Sequence, residues 1–156
     1  MTIFTVGYEG TTIDAFIAAL KTRRISQLID VREMPLSRKR GFSKSALALA
    51  LEAQGIRYLH MRALGCPKPI RDSYRLDSDW KRYTRAFVAY LSLQVDALAE
   101  LRGKVKSRRT ALMCFEADAE RCHRSIVANA IAGPALGLVE HVLVADDSIE
   151  ASAAVA

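Results

Sequence analysis

Short apolar runs rich in β-branched residues alternate along the chain with longer segments whose apolar positions recur every three or four residues. IFTVGY, Ile3 to Tyr8, predicts a first strand that stops at Glu9-Gly10. Thr11 or Thr12 then caps a helix with Asp14 in its first turn and Ile13, Phe16, Ile17 and Leu20 on one face. Gln27 to Val31 predicts a second strand, followed by the loop REMPLSRKRGF with Pro35 and Gly41 as breakers. Ser43 caps a second helix that Gly55 ends, and IRYLH, Ile56 to His60, is a third strand. From Met61 to Ser78 the pattern is irregular, and Pro67 and Pro69 argue against a helix there. Asp79 opens one long helix whose apolar side runs through Trp80, Tyr83, Phe87, Tyr90, Leu91, Leu98 and Leu101, a stripe that reads as core packing. Thr110 to Phe115 is a fourth strand, Asp118 caps the helix after it, and Val139 to Ala145 is a fifth strand.

This alternation implies parallel strands joined by crossover helices. The expected fold is a single-domain three-layer α/β/α sandwich with a mainly parallel sheet of about five strands. The domain is expected over 1–148, with 149–156 as a fraying, disordered tail of small residues. In such sheets ligands bind in the crevice outside the carboxyl ends of the strands. Those ends carry Tyr8-Glu9-Gly10, Asp30-Val31-Arg32, His60 and Cys114-Phe115-Glu116, while Asp146-Asp147 after the fifth strand is less persuasive. Reactive side chains thus recur where the crevice is expected.

Composition narrows the setting. Apolar residues make up 51% of the 156 and charged residues 26%, a globular profile. No apolar run approaches the roughly 18 residues of a membrane span, so no membrane partner is expected. The start of the chain has no basic region or cleavage signature, which makes the cytoplasm the expected location. Three cysteines are an odd number at irregular spacing, which argues for free thiols over a disulfide framework. The net charge of +6 is concentrated between Arg32 and Arg85, where 13 Lys and Arg face 5 Asp and Glu. Such a segment suits a phosphate-bearing small molecule or a nucleic acid, and equally a solvated positive surface.

The candidate chemistry gathers in LMCFEADAERCHRS, Leu112 to Ser125. Cys114 ends a central strand near the next helix, whose free N–H groups favour a thiolate. A buried core cysteine is the plain alternative. Cys122 shares a helical face with Ile126 and Ala130 and is expected to point inward, leaving His123 or Arg124 to reach the crevice. Arg124 near a helix N-terminus is electrostatically unfavourable unless solvated or bound to an anion. Asp30, Glu116 and Glu9 are acids placed for proton transfer or positioning, with loop ion pairs as the competing reading. Arg32, Ser37 and Arg38, with the cations beside them, form a loop suited to clamping phosphate. His60 ends a strand, and His141 alternates with apolar residues and reads as structural. A zinc site of Cys114, Cys122, His123 and Cys66 lacks the close cysteine pairs of structural sites, so no metal or other cofactor is expected. No glycine-rich nucleotide loop is present.

GYEG, LIDVR, P-x-S-R, GF, Y-x-H, LG, CFE and CHR, taken in order from Thr5 to about Ala132, resemble a bacterial and archaeal family, the domain-of-unknown-function four-eight-eight family. The resemblance implies an α/β domain whose signature residues are those at the strand ends, and no settled reaction. LIDVRE also looks like a strand of rhodanese-type sulfurtransferases. There, and in cysteine phosphatases, a C-x5-R loop cradles an anion. Here six residues separate Cys114 from Arg121, none is glycine, and Glu116 and Asp118 are acidic. That departure argues against both.

The sequence therefore points to an enzyme, a hydrolase or group transferase, acting on a phosphate-bearing substrate such as a nucleotide or nucleic acid. Cys114, Glu116, His123 and Asp30 are its expected catalytic residues. Tyr8, Glu9, Arg32, Ser37, Arg38, His60 and Arg124 are its expected substrate contacts. A non-catalytic nucleic-acid or nucleotide-binding module is the alternative, and a thiol-dependent redox or sulfur-transfer protein the second.

Overall fold

The computed structural model describes residues 1–134 and 137–145. The expected tail at 149–156, the boundary at 148 and Asp146-Asp147 lie outside the described residues. Five parallel strands form one sheet: β1 (Thr2–Gly7), β2 (Gln27–Asp30), β3 (Arg57–His60), β4 (Thr110–Cys114) and β5 (Leu138–Val142), in the order β3-β2-β4-β1-β5. Six α-helices accompany them among the described residues: α1 (Ile13–Thr22), α2 (Lys44–Glu52), α3 (Lys68–Asp77), α4 (Trp80–Ser92), α5 (Val95–Ser107) and α6 (His123–Ile131). The expected α/β class is the observed one.

Alternation along each strand sorts side chains into two apolar layers, because successive residues point to opposite faces. Phe4, Val6, Leu28, Ala111 and Met113 pack with Phe16 and Leu20 of α1 and Leu47 and Leu51 of α2. Ile3, Ile29, Leu112 and Cys114 pack on the other face with Phe87 and Leu91 of α4, Leu101 of α5 and Val127 of α6. After β1 the chain leaves across the first face, and after β4 across the second. β1 and β4 are neighbours, with Gly7 beside Cys114. Their carboxyl ends therefore flank the place where the winding reverses, the expected ligand crevice of such a sheet.

Three local expectations need correction. The Met61–Ser78 stretch holds a 3₁₀ turn, Arg62–Leu64, and then the helix α3. Pro67 is its N-cap and Pro69 lies in its first turn, where the N–H groups have no helical acceptor and proline removes nothing. The single long helix after Asp79 is two, α4 and α5, interrupted at Leu93-Gln94, where Gln94 is non-helical. Asp79 does cap α4, accepting from the Arg82 N–H at 3.0 Å. Asp118 caps only a 3₁₀ turn, Ala119–Arg121, and α6 begins at His123 with Cys122 as its extended N-cap.

Candidate functional site

A cavity of about 540 Å³ opens at the carboxyl edge of the sheet. Among the expected site residues, Tyr8, Arg32, Ser37, Cys114, Glu116 and His123 line it. Asp30, Glu9, Arg38, His60 and Arg124 do not.

The cysteine corner is built from the end of β4 and the start of α6. Cys122 has extended backbone, φ −136° and ψ 139°, while His123 is the first helical residue. The 100° helical offset between neighbours thus does not apply, and the expectation that Cys122 and His123 diverge is corrected. Both converge on Cys114. His123 Nδ1 lies 3.6 Å from Cys114 Sγ and 4.0 Å from Cys122 Sγ. The three ligand atoms are all within 4.8 Å of one another, and all three residues are buried. His123 Nε2 lies 2.7 Å from the Val31 carbonyl oxygen, which only accepts, so Nε2 carries a proton and Nδ1 is left to the sulfurs.

Burial works against a charge on Cys122, yet hydrogen bonds with Cys114 and His123, and the charges of His123 and Arg124, pull its thiol below the ordinary cysteine range. The hydrogen bond with Cys122, then burial, push Cys114 well above it. Burial also opposes an imidazolium at His123, but the Cys122 thiolate raises its affinity for a proton. Nδ1 is nearer Cys114 than Cys122, so the geometry and the preferred thiolate differ. Two adjacent buried thiolates repel, so the cluster shares one ionised thiol.

Glu116 sits beside this corner. Its Oε2 is buried with no hydrogen-bond partner. Burial, and then Cys122 through its charge and a hydrogen bond to the carboxyl group, raise Glu116 to about 7. The loop that carries it is held from below by Arg124, itself 1% exposed, which donates to the Glu116 and Ala117 carbonyls. Arg124 therefore binds backbone oxygens where the sequence suggested an anion. Gly7 lets the same loop close over β1: a Cβ there would lie 1.8 Å from the Glu116 carbonyl oxygen. Glu9 fastens the far side, accepting from the Ala117 N–H at 3.3 Å.

The second strand end is organised as a buried ion pair. Arg32 Nε and Nη2 donate to the two Asp30 carboxylate oxygens at 2.9 and 2.7 Å. Nη1 donates to Tyr8 Oη at 3.1 Å and to the Phe42 carbonyl at 2.7 Å. Burial opposes the Arg32 charge, but Asp30 holds it protonated. Tyr58 Oη donates to Asp30 at 2.5 Å, and burial, then the Asp30 charge, disfavour its ionisation. His60 Nε2 meets the Arg32 carbonyl at 2.7 Å. Arg38 is exposed, and Ser37 Oγ accepts from the Lys39 N–H at 3.1 Å.

Several cavity residues were not among the expected catalytic or substrate-binding residues: Glu33, Cys66, Arg71, Arg75, Trp80, Tyr83 and Arg121. Arg71 pairs with Glu33 at 2.9 Å and donates to the Cys66 carbonyl. Trp80 and Tyr83 stack at 4.7 Å, with the Arg121 guanidinium 6.0 Å from the Trp80 ring. Tyr83 is core as expected, but it and Trp80 also present a wall to the cavity. The irregular stretch between two strands was the available signal, since long connections in such folds carry function.

The model of a protein family described as a domain of unknown function, DUF488, matches residues 12–131, and the chain belongs to that family. No curated protein and no solved structure matches it.

Proposed function

We propose that this DUF488 protein is an enzyme, a hydrolase or group transferase that acts on a phosphate-bearing substrate such as a nucleotide or nucleic acid. The observation that carries this reading is the buried, unpartnered Oε2 of Glu116 on a cavity wall shared with Cys114 and His123. A buried carboxylate oxygen without a partner is costly, and of the three unpartnered buried side-chain polar atoms among the described residues (Thr84 Oγ1, Arg124 Nε and Glu116 Oε2) this one belongs to a residue of the cavity wall. Arg71, Arg75 and Arg121 supply the cationic side, and Trp80 offers an aromatic face to a base. Glu116 moves the proton, and the reacting group lies against the Cys114–His123 corner. Arg32 and Asp30 position the wall through Tyr8. The described residues contain no helix long and apolar enough to cross a membrane. Three free thiols suit a reducing cytoplasm.

The test is a panel of nucleotides, oligonucleotides and phosphomonoesters assayed for turnover, followed by Glu116→Gln on any substrate found. The variant is expected to keep its fold and lose turnover about 100-fold or more. Undiminished turnover in Glu116→Gln would remove this assignment. Binding that falls steeply with salt, without turnover and indifferent to Cys114→Ala, would favour a non-catalytic nucleic-acid or nucleotide module.

A second reading, thiol-dependent redox or sulfur transfer, draws support from Cys114 and Cys122 sharing His123. It requires one of these thiols to react with iodoacetamide below the ordinary cysteine pH range.

A further inference from the structure

We infer that Cys114, Cys122 and His123 form a zinc site with one coordination position open to the cavity. The site stands on its own geometry and does not depend on the substrate proposed above.

Three observations lead to it. The first is spacing. With Zn–S near 2.3 Å and Zn–N near 2.0–2.1 Å, a tetrahedral ion places its S and N ligands about 3.6 Å apart and two sulfurs about 3.8 Å apart. Here His123 Nδ1 stands 3.6 Å from Cys114 Sγ and 4.0 Å from Cys122 Sγ, with all three atoms within 4.8 Å. The Cys114–His123 distance already has a metal's dimensions; Cys122 must close by a few tenths of an ångström on Nδ1 and by at most about 1 Å on the Cys114 sulfur. Two thiolates and an imidazole are the donor set that zinc prefers over the hard cations.

The second is the tautomer. Metal-binding histidines commonly donate their other ring N–H to a carbonyl or carboxylate, which fixes the ring and turns the lone pair to the ion. His123 does this through Nε2 and the Val31 carbonyl at 2.7 Å. Its Nδ1 faces only sulfur.

The third is Glu116. Its Oε2 is buried without a partner, and the residue lines the cavity together with Cys114 and His123. Cys122 lies behind them, outside the cavity lining. An ion held by the three would have its fourth position toward the cavity, whose wall Glu116 shares with Cys114 and His123. That is the arrangement of a catalytic metal site, three protein ligands and one open position. Both cysteines coordinate as thiolates, and any protons they still carry pass to solvent on binding.

The irregular cysteine spacing does not weigh against this. Close C-x2-C pairs arise where one loop supplies two ligands, whereas here a strand end supplies one and a helix cap the other two. Glu116 is not one of the ligands; it stands on the cavity wall beside Cys114 and His123.

The experiment uses the full chain. The protein is stripped with a chelator and titrated with Zn²⁺, then separately with Co²⁺ as a spectroscopic stand-in. The expected result is one Zn²⁺ per chain, and with Co²⁺ a thiolate-to-metal charge-transfer band together with the intense visible bands of tetrahedral cobalt. Cys114→Ala, Cys122→Ala and His123→Ala should each weaken Zn²⁺ at least about 100-fold, whereas Cys66→Ala and Glu116→Gln should retain one ion per chain. Far-ultraviolet circular dichroism reports whether each variant folds. If the ligand variants unfold, the unaltered protein still decides: Zn²⁺ should protect Cys114 and Cys122 from iodoacetamide while leaving Cys66 as it was. A chain that takes up no Zn²⁺, a cobalt spectrum without charge transfer, or binding that survives Cys114→Ala would overturn the proposal. Zinc binding without turnover of any phosphate compound would leave the site standing and remove the proposed substrate class.

Discussion

Asp30 and Arg32, two residues apart at the end of β2, face each other in a two-point ion pair with contacts of 2.9 and 2.7 Å, and both are buried. The pair is surrounded by Tyr8, Tyr58 and the Phe42 carbonyl, so its charges and most of its hydrogen-bonding groups are already used. Removing one member strands the other. Asp30→Asn is expected to lower the unfolding free energy by about 3–5 kcal/mol, measured by urea denaturation. Asp30→Asn with Arg32→Met should cost less than the two single changes together. A loss below about 1 kcal/mol in Asp30→Asn would return Arg32 to the role of a substrate clamp.

Gly7 and Arg124 hold the Glu116 loop from two sides. Gly7→Ala places a methyl against the Glu116 carbonyl, a backbone atom that yields only if the loop moves. The expected cost is about 1–3 kcal/mol, the usual scale of overpacking. Denaturation measures that cost, and proteolysis within Phe115 to Asp118 should become faster. An unchanged melting temperature would show that the loop gives way freely.

Cys66 is a buried thiol outside the Cys114–Cys122–His123 corner. Burial is the first cause that pushes it up, to about 11, outweighing the Tyr83 hydrogen bond and the Arg71 charge. With Cys114 and Cys122 replaced by alanine, roughly a thousandth of Cys66 is thiolate at pH 8. Alkylation should climb about tenfold per pH unit and level off only near 11. A midpoint at the ordinary cysteine value would contradict this.

Arg71 and Arg121 stand at the cavity with partly or fully exposed side chains, and Arg71 pairs with Glu33 in reach of solvent. Exposed pairs contribute little to stability. Arg71→Ala and Arg121→Ala should each shift stability by less than about 1 kcal/mol. Each should weaken binding of a nucleoside phosphate about tenfold or more, with a shallower dependence on salt. Equal affinity in all three proteins, read by titration at two salt concentrations, would take the anion away from this rim.

The α/β class was legible in the sequence because a period of two and a period near 3.6 leave different hydrophobic patterns. The strand ends followed from it, and with them Tyr8, Arg32, Cys114 and Glu116. Local rules were sound where one residue decided the outcome, as with Thr12 capping α1 by accepting from the Ala15 N–H. They misled where position within the element mattered, as at Pro67 and Pro69, which begin α3.

What the tertiary structure decided was which of these groups face one another. Arg32 and Arg124 look alike as cations in the sequence, but one closes on Asp30 and the other on backbone carbonyls. Arg71 and Trp80 reach the cavity only because the chain between β3 and β4 folds back over the sheet edge, where they meet Arg121 from the turn after β4. Cys122 turns toward Cys114 because its backbone is extended at the N-cap, a dihedral choice that residue identity does not dictate. Periodicity is a property of neighbours along the chain, so the sequence alone determined the layers and the edge. A site is a property of neighbours in space, and those are set by packing between segments far apart in the chain.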